Sequence, residues 1–312
     1  MKIEYVVTKK DEGSLVRDIV KKKMNVSSRL YKKIALDIYL NDKKCYATNR
    51  VIKKDVVTVY LDNAYDEEVT YDKFTTWKHK LDILYEDEYI ICINKESGIA
   101  CHPSANHQEK TLYNAVINYY IEKGIKVPIH FVNRLDKDTT GVVVIAKHKY
   151  VQQFLVKQME KGDFNKEYIA IVYGKLENKE GIIEKKVKRK EGTIILRETS
   201  DSEGDYAKTA YKVLDYNKNK NYTVVKVKLY TGRTHQIRVH FTSIGHPLLG
   251  DELYSNECEF KIDNIREYIK RQALHAKLIS FNHINGKKLI IEADIPEDMS
   301  KLINNCSNDW QV

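Results

Sequence analysis

The chain has 312 residues, a length that suits one large domain and one small one. Hydrophobic residues make up 42% and charged residues 31%, a composition typical of a globular protein. No apolar run is long enough for a transmembrane helix, and the first residues lack the apolar stretch of a signal peptide, so we expect a cytoplasmic protein. The five cysteines are scattered without a Cys-x-x-Cys pair, which indicates neither a disulfide framework nor a zinc site.

The positive charge is concentrated at the N-terminus. Residues 1–61 contain 15 Lys or Arg and 7 Asp or Glu, a net charge of +8, whereas the other residues contain 38 and 37. A basic surface that keeps the protein in solution and a module that binds nucleic acid both agree with this charge, and the charge alone does not choose between them.

Residues 1–61 predict two helices followed by a β-hairpin. A helical pattern of apolar residues starts after Gly13-Ser14, and Ser27 is the predicted N-cap of a second helix that carries basic residues on its exposed face. Ile38–Leu40 predicts a strand that ends at the turn residues Asn41 and Asp42, and residues 56–59 predict the closing strand. The basic residues of the second helix are Arg29, Lys32 and Lys33.

Residues 62–80 show no sustained periodicity and are predicted to be a linker. From residue 81 onward, short strands and a few helices follow one another without strict alternation, which predicts an α+β fold with a largely antiparallel sheet. We assign residues 81–296 to this large domain and residues 297–312 to a C-terminal tail. The predicted strands are 89–94, 142–146, 168–173, 206–214, 222–230 and 288–293, and the predicted helices are Thr111–Tyr120 and Tyr150–Lys161.

Asp136 is the first candidate for chemistry. It lies in a polar, turn-forming stretch, residues 133–141, which leads directly into the apolar strand 142–146. A carboxylate in the loop immediately before a rigid strand is well placed to act on a ligand. Because Asp is common in turns, the local sequence by itself favours a capping role for Asp136 or Asp138 over a catalytic one.

A second candidate segment, residues 229–240, joins the end of a strand to a predicted helix. Thr234 fits the N-cap position and Gly245 the stop. Arginines and histidines crowd the start of this helix, where they and the backbone amides suit an anion such as an RNA phosphate or a carboxylate. A solvated basic turn is the simpler alternative. The residues concerned are Arg233, His235, Arg238 and His240.

A third segment, residues 166–174, has the period of two that is typical of a strand, with Tyr168, Ala170 and Val172 on one face. A tyrosine in such a position usually belongs to the hydrophobic core.

Together, these segments resemble the RluA-type pseudouridine synthases. The resemblance spans roughly residues 81–295 and outweighs the local interpretations of Asp136, Tyr168 and Arg238. Asn133, Thr140 and Glu96 depart from the residues usual in that family. The matching motifs are Arg-Leu-Asp-x-x-Thr-x-Gly at 134–141, Lys-x-Tyr-x-Ala-x-Val-x-Gly at 166–174, Gly-Arg-Thr-His-Gln-Ile-Arg-Val-His at 232–240, the segment 245–251 and Ala-Leu-His-Ala at 273–276.

The first 61 residues resemble a small RNA-binding domain first known from a ribosomal protein of the small subunit. Ser28-Arg29-Leu30, the strand Ile38–Leu40 and residues 54–59 carry this resemblance. Asp37 and Lys54 stand where glycine is often found. The resemblance implies a small α/β domain that contacts RNA through Arg29, Lys32 and Lys33.

The resemblance to the synthases implies the pseudouridine synthase fold and an isomerase that re-attaches uracil to ribose through carbon 5. Asp136 would start the reaction, either as a nucleophile on ribose carbon 1 or as a base on the neighbouring ribose proton. Arg238 would pair with Asp136, and Tyr168 would stack on the flipped uracil. The expected substrate-binding residues are Arg134, Thr139, Arg233, His235, Gln236 and Ile279.

The implied partner is RNA, either ribosomal or transfer RNA, with ribosomal RNA favoured by the N-terminal domain. We expect a monomer that needs no metal and no organic cofactor.

Two other functions are considered. An RNA-binding ribosome-assembly factor with little or no catalysis is disfavoured by the intact Asp136, Tyr168 and Arg238, and an RNA hydrolase is disfavoured because no cluster of carboxylates for a metal is evident.

Overall fold

A computed structural model describes residues 2–34, 37–61, 71, 74–104, 109–255 and 265–304, except the side chains of Arg29, Lys33 and Ile34. The chain divides into two units. The first comprises Met1–Thr70 with Lys126–Pro128, and the second comprises Tyr71–Ile125 with Ile129–Val312. In the described ranges no helix is long and apolar enough to cross a membrane.

The first unit is a four-stranded antiparallel sheet with the strand order β1-β4-β2-β3 and with short helices. Both predicted helical regions and the predicted strands are confirmed, and the hydroxyl of Ser27 accepts a hydrogen bond from the amide of Leu30, as an N-cap does. Strands β1 and β3 were not predicted. The elements are β1 Lys2–Val6, a 3-10 turn Lys9–Asp11, α1 Val16–Asp18 continuing as a π-helical turn Ile19–Lys23, α2 Ser28–Ile34, β2 Ile38–Leu40, β3 Lys43–Lys44 and β4 Val56–Tyr60.

The basic helix predicted to bind RNA is helix α2. Lys32 is exposed on it, whereas the side chains of Arg29 and Lys33 lie outside the described part of the chain. Lys54 has a φ of 76°, the left-handed region that favours glycine, at one of the two positions where the resembled pattern often has glycine.

The second unit is built on an 11-stranded mixed sheet with the order β11-β10-β12-β13-β9-β14-β8-β6-β5, in which β15 pairs with β14 and β7 with β8. Among the pairings of the described strands, β14 with β8 is parallel and the others are antiparallel. The strands are β5 Ile83–Glu86, β6 Ile90–Lys95, β7 His130–Phe131, β8 Thr140–Ala146, β9 Asn165–Tyr173, β10 Glu180–Arg189, β11 Arg197–Ser200, β12 Asp205–Asn217, β13 Tyr222–Leu229, β14 Leu274–Asn282 and β15 Lys288–Glu292.

Helices cover parts of this sheet. The predicted strands and the two predicted helices of this unit are confirmed to within a few residues, and the fold class is α+β as predicted. The sequence patterns missed β5, β7, β10, β11 and β14. The helices are α3 Leu112–Lys123, α4 Lys149–Lys161, α5 Gln236–Thr242, α6 Ile265–Tyr268 and α7 Glu297–Asn304.

Two details of the sequence analysis are corrected. Helix α5 begins at Gln236 with His235 at its N-cap position, so Thr234 is not the cap. The assigned tail, residues 297–312, begins with helix α7, because the spacing of Met299, Leu302 and Ile303 gives it an apolar face that is buried in the core with Tyr222. Residues 305–312 lie outside the described range.

The predicted linker 62–80 falls partly on residues whose structure is not described. The structure assigns its last part to the second unit, because Asn114 on helix α3 accepts a hydrogen bond from the amide of Trp77 and donates one to the carbonyl of Thr75. The predicted domain boundaries at residues 61 and 81 stay predictions.

The parallel pairing of β8 with β14 positions the loop that carries Asp136. At the start of β8, Gly141 has a φ of 110°, and a Cβ atom there would collide with the carbonyl oxygen of Ala276 on β14. Glycine is therefore required for the two strands to approach this closely.

Candidate active site

A cleft with a volume of about 1420 Å³ lies in the second unit. Three segments that are far apart in the sequence line it: the loop before β8, the start of β9, and the turn between β13 and α5. Asp136, Tyr168 and Arg238 all lie on its wall. The tertiary structure thus brings together the three segments that the sequence analysis singled out.

Asn133 holds the Asp136 loop against β8. Its side-chain oxygen accepts a hydrogen bond from the amide of Val144 at 2.8 Å, and its side-chain nitrogen donates to the carbonyl of Val142 at 3.1 Å. Asn133 stands where the resembled family usually has histidine. With asparagine in place of histidine, the side chain at position 133 still anchors the N-terminal end of the loop.

Buried side chains hold the other end of the loop. The ammonium of Lys95 donates to the carbonyl of Lys137 at 2.8 Å, and Arg271 Nη1 donates to the carbonyl of Asp138 at 3.3 Å. Gln272 donates to the hydroxyl of Thr139 at 3.1 Å. Because these bonds hold the residues that follow Asp136, its carboxylate is presented to the cleft from a fixed backbone.

Asp136 is paired with Arg238, which lies on α5. Arg238 Nη1 is 3.3 Å from Asp136 Oδ2, and its Nε and Nη2 each donate to Asp251 at 2.7 Å. Burial would lower the pKa of Arg238, but the hydrogen bonds and charge of Asp251 raise it. Arg238 is therefore a permanently charged group that is oriented by Asp251 and faces Asp136.

His235 approaches the same carboxylate oxygen of Asp136 as Arg238 does. Its Nε2 atom is 3.9 Å from Asp136 Oδ2, and its Nδ1 atom is 2.9 Å from the hydroxyl of Tyr254. Burial lowers the pKa of His235, although the charge of Asp136 opposes this effect. His235 has a φ of 55°, a strained conformation for a residue with a side chain, and this conformation turns it toward the cleft.

Tyr168 forms part of the cleft wall from strand β9. It is buried, and burial together with the nearby charge of Asp136 raises its pKa. Its hydroxyl therefore stays protonated at neutral pH. An aromatic ring on the wall of a cleft can stack on a planar base.

The predicted substrate-binding residues divide into two groups. Arg134 and Arg233 are exposed on the cleft, and Thr139 and His235 also line it. Gln236 lines it too, but its amide bonds internally to Thr231, Arg233, Lys208 and Thr209, so it holds the turn before α5.

Ile279 is not brought to the cleft, which corrects the prediction for this residue. It is 1% exposed on strand β14, where it pairs with Lys166 on one side and Ile291 on the other. An aliphatic side chain in the middle of a sheet packs into the core, and the motif position alone did not reveal this.

The sequence analysis gave no role to several residues that shape the site. Asp251 falls within the segment 245–251 quoted for the resemblance, so its position was visible in the sequence but its contacts were not. Arg271 precedes one such motif, and Tyr254 lies outside them. In the described part of the chain, no group of three or more His, Cys, Asp or Glu side chains is arranged to hold a metal ion.

Comparison with known proteins places this site in a family. The family described as RNA pseudouridylate synthase matches residues 89–243. The RNA pseudouridine synthase YjbO of Bacillus subtilis is 38% identical over 224 residues, which cover 72% of this chain and 75% of that protein. Ribosomal large subunit pseudouridine synthase D of Vibrio cholerae is 38% identical over 229 residues, covering 71% and 69%.

A solved structure shares the fold. Human RNA Pseudouridylate Synthase Domain Containing 4 is 22% identical, with a TM-score of 0.58 over 72% of this chain and 92% of that one. The fold is therefore the pseudouridine synthase fold. From the sequence relatives, the chain belongs to the RNA pseudouridine synthases, which are isomerases that act on RNA.

Proposed function

We propose that Asp136 is the catalytic carboxylate of a synthase that modifies uridines in ribosomal RNA of the large subunit. The observation that carries the proposal is the position of Asp136 on the cleft wall, 3.3 Å from the oriented guanidinium of Arg238. The guanidinium fixes the direction of the Asp136 carboxylate, and both possible first steps need a carboxylate that is held in place.

The reaction proposed for the site breaks the bond from ribose carbon 1 to uracil nitrogen 1. The uracil then turns and forms a bond from its carbon 5 to ribose carbon 1. Carbon 5 releases its proton and nitrogen 1, which has lost its bond to ribose, takes up a proton, so the product is an isomer of the substrate. Asp136 begins this sequence, either as the nucleophile on ribose carbon 1 or as the base on the neighbouring ribose proton. Tyr168 stacks on the uracil, which has to leave its helix to enter the cleft.

The choice of ribosomal RNA is supported by the name of a relative and by the charge of this chain. The relative from Vibrio cholerae, like the one from Pseudomonas aeruginosa at 37% identity, is named for the large ribosomal subunit. Residues 1–61 carry a net charge of 15 − 7 = +8, which suits a surface that holds an RNA backbone. Transfer RNA is the second candidate substrate.

The isomerisation conserves all atoms and transfers no electrons to an acceptor, so it needs no redox cofactor. Independence of metal ions, a monomeric state and a cytoplasmic location stay predictions from the sequence.

The decisive experiment maps pseudouridines in total RNA from cells with and without this gene. We expect one or more pseudouridines of large-subunit ribosomal RNA to disappear and to return when the gene is restored, but not when the Asp136→Asn variant is supplied. A loss confined to transfer RNA would move the substrate to that class. No loss in any RNA, with intact RNA binding by the purified protein, would favour a ribosome-assembly factor.

A further inference from the structure

Lys166, near the start of strand β9, is a buried cation that the proposed reaction does not use. Its relative exposure is 8%, and no described residue provides its ammonium with a hydrogen-bond acceptor or a carboxylate. Burial lowers its pKa. A neighbouring strand residue, Glu167, is paired with Lys226 at 2.5 Å and does not serve Lys166.

The ammonium of Lys166 is directed to the cleft. Lys166 is among the residues that line it, and a Cβ atom added to Gly232, which also lines the cleft, would lie 3.3 Å from Lys166 Nζ. Lys166 and Tyr168 are two residues apart on β9 and both are buried, so they project from the same face of the strand. Two strand residues span about 7 Å.

A largely buried ammonium without a counter-charge is unfavourable, because burial removes part of its hydration and no group of the described residues replaces it. The wall of the cleft carries more cations than carboxylates. Besides Lys166 it has Arg134, Lys137, Arg233 and Arg238, against Asp136 and Glu160. A neutral acceptor such as a uracil carbonyl would supply a hydrogen bond but would leave this charge unbalanced. A full anion satisfies both requirements, and the anions that RNA brings are its phosphates.

We propose that Lys166 binds a phosphate of the RNA strand next to the target uridine while the uracil lies against Tyr168. The separation of about 7 Å along β9 places the two side chains at different points of the cleft wall, one for the base and one for a phosphate. The proposal rests on the proposed function, because it assumes that a uridine of an RNA strand enters this cleft. Lys166 would thus fix the strand, whereas Asp136 acts on the ribose.

The test measures binding of the full chain to the RNA pentamer AAUAA, whose single uridine sets the register. Further pentamers carry one uncharged methylphosphonate in place of a single phosphate, at each linkage in turn. The protein variants are Lys166→Met, Lys166→Arg and, as a matched loss of one positive charge, Lys212→Met. Lys212 is exposed on strand β12 and does not line the cleft.

We expect Lys166→Met to weaken binding of the natural pentamer by about tenfold or more, since hydrogen bonds to charged groups are among the stronger ones. The slope of log K against log salt should become shallower by about 0.7. For one methylphosphonate position beside the uridine, the wild type and Lys166→Met should bind equally, because the contact is already lost. Lys166→Arg should restore most of the affinity, and Lys212→Met should cause little change.

An equal loss of affinity for Lys166→Met with every pentamer would overturn the proposal, because the lysine then contacts no phosphate. Equal affinities of Lys166→Met and the wild type for the natural pentamer would overturn it as well. Thermal unfolding of Lys166→Met is the folding control, and its midpoint should not fall, since methionine fills the space without a buried charge. Because the binding cycle needs no turnover, it can succeed even if pseudouridine mapping fails, and the two proposals are tested separately.

Discussion

Asp251 accepts two hydrogen bonds of 2.7 Å from Arg238, one from Nε and one from Nη2, and this leaves Nη1 as the atom that faces Asp136. Asp251 is fully buried, and the Arg238 side chain is nearly so. The planar fork of an arginine suits such a bidentate pair, and a lysine would not reproduce it. The ion pair with Asp251 therefore fixes the orientation of the Arg238 guanidinium relative to the proposed catalytic carboxylate of Asp136.

Asp251→Asn should lower both stability and activity. The amide cannot balance the buried guanidinium, and breaking a buried ion pair costs about 3–5 kcal/mol of the free energy of unfolding. Urea unfolding measures this change. Asp205→Asn is the matched control, because Asp205 pairs with Arg233 at 3.6 Å on the surface, where the loss should stay below about 1 kcal/mol. Similar losses for the two variants would contradict the assigned importance of the buried pair.

Asp136→Asn should abolish pseudouridine formation while leaving RNA binding largely intact. The amide keeps the size of the side chain but loses the negative charge that either first step needs, and we expect single-turnover rates to fall roughly 10³-fold or more. Asp138→Asn is the control, since its backbone carbonyl contacts Arg271 and is unchanged by the substitution. If Asp136→Asn kept near-normal rates and Asp138→Asn did not, Asp138 would become the catalytic candidate.

Tyr168→Phe should keep RNA affinity, because the ring that stacks on uracil is retained, whereas Tyr168→Ala should lose it. If the hydroxyl takes part in proton transfer, the phenylalanine variant is slower by about 10²-fold to 10⁴-fold. Burial and Asp136 raise the pKa of Tyr168, so its hydroxyl stays protonated throughout the alkaline range in which an exposed tyrosine ionises. The pH profiles of the rate should therefore have the same shape near pH 10 for the wild type and for Tyr168→Phe. A decline near pH 10 in the wild type that is missing in Tyr168→Phe would count against this assignment.

Lys95 provides a pH-dependent contribution to stability. Burial lowers its pKa from 10.5 to about 8, so between these values the unfolded chain holds a proton that the folded protein has released. The contribution of this group to the free energy of unfolding should rise with pH across that window, by about 3 kcal/mol in total. The measurement is urea unfolding from pH 7.5 to 10.5 for the wild type and Lys95→Met. Parallel curves for the two proteins would show that Lys95 does not titrate in this range.

A variant that begins at Tyr71 should retain the chemistry and lose affinity. It keeps every residue of the cleft but lacks the segment 1–61 with its net charge of +8. We expect pseudouridine formation in a short target oligonucleotide to persist, together with weaker binding of a long ribosomal RNA fragment and a shallower dependence on salt. Unchanged affinity and salt dependence would show that residues 1–70 do not contact the RNA.

Much of the architecture follows from local patterns in the sequence. Strand 142–146 is a continuous apolar run, and the helix Tyr150–Lys161 shows an apolar stripe, so both were predicted. Strands β10 and β11 are rich in charged residues and were not predicted, because their neighbours in the sheet rather than their own hydrophobicity define them. The sequence patterns gave no signal for such elements.

By itself, the sequence determined the fold class, the basic N-terminal segment and the three motif segments with Asp136, Tyr168 and Arg238. Only the tertiary structure decided which atoms meet. Asp136 and Arg238 are 102 residues apart, as their contact shows, and Arg271 reaches the carbonyl of Asp138 across 133 residues. The burial of Ile279 and the lack of a partner for the Lys166 ammonium among the described residues are likewise properties of the surroundings. Local patterns encode backbone conformation and the apolar face of an element, whereas the partners of a side chain that are distant in the chain are set by how the strands assemble into one sheet.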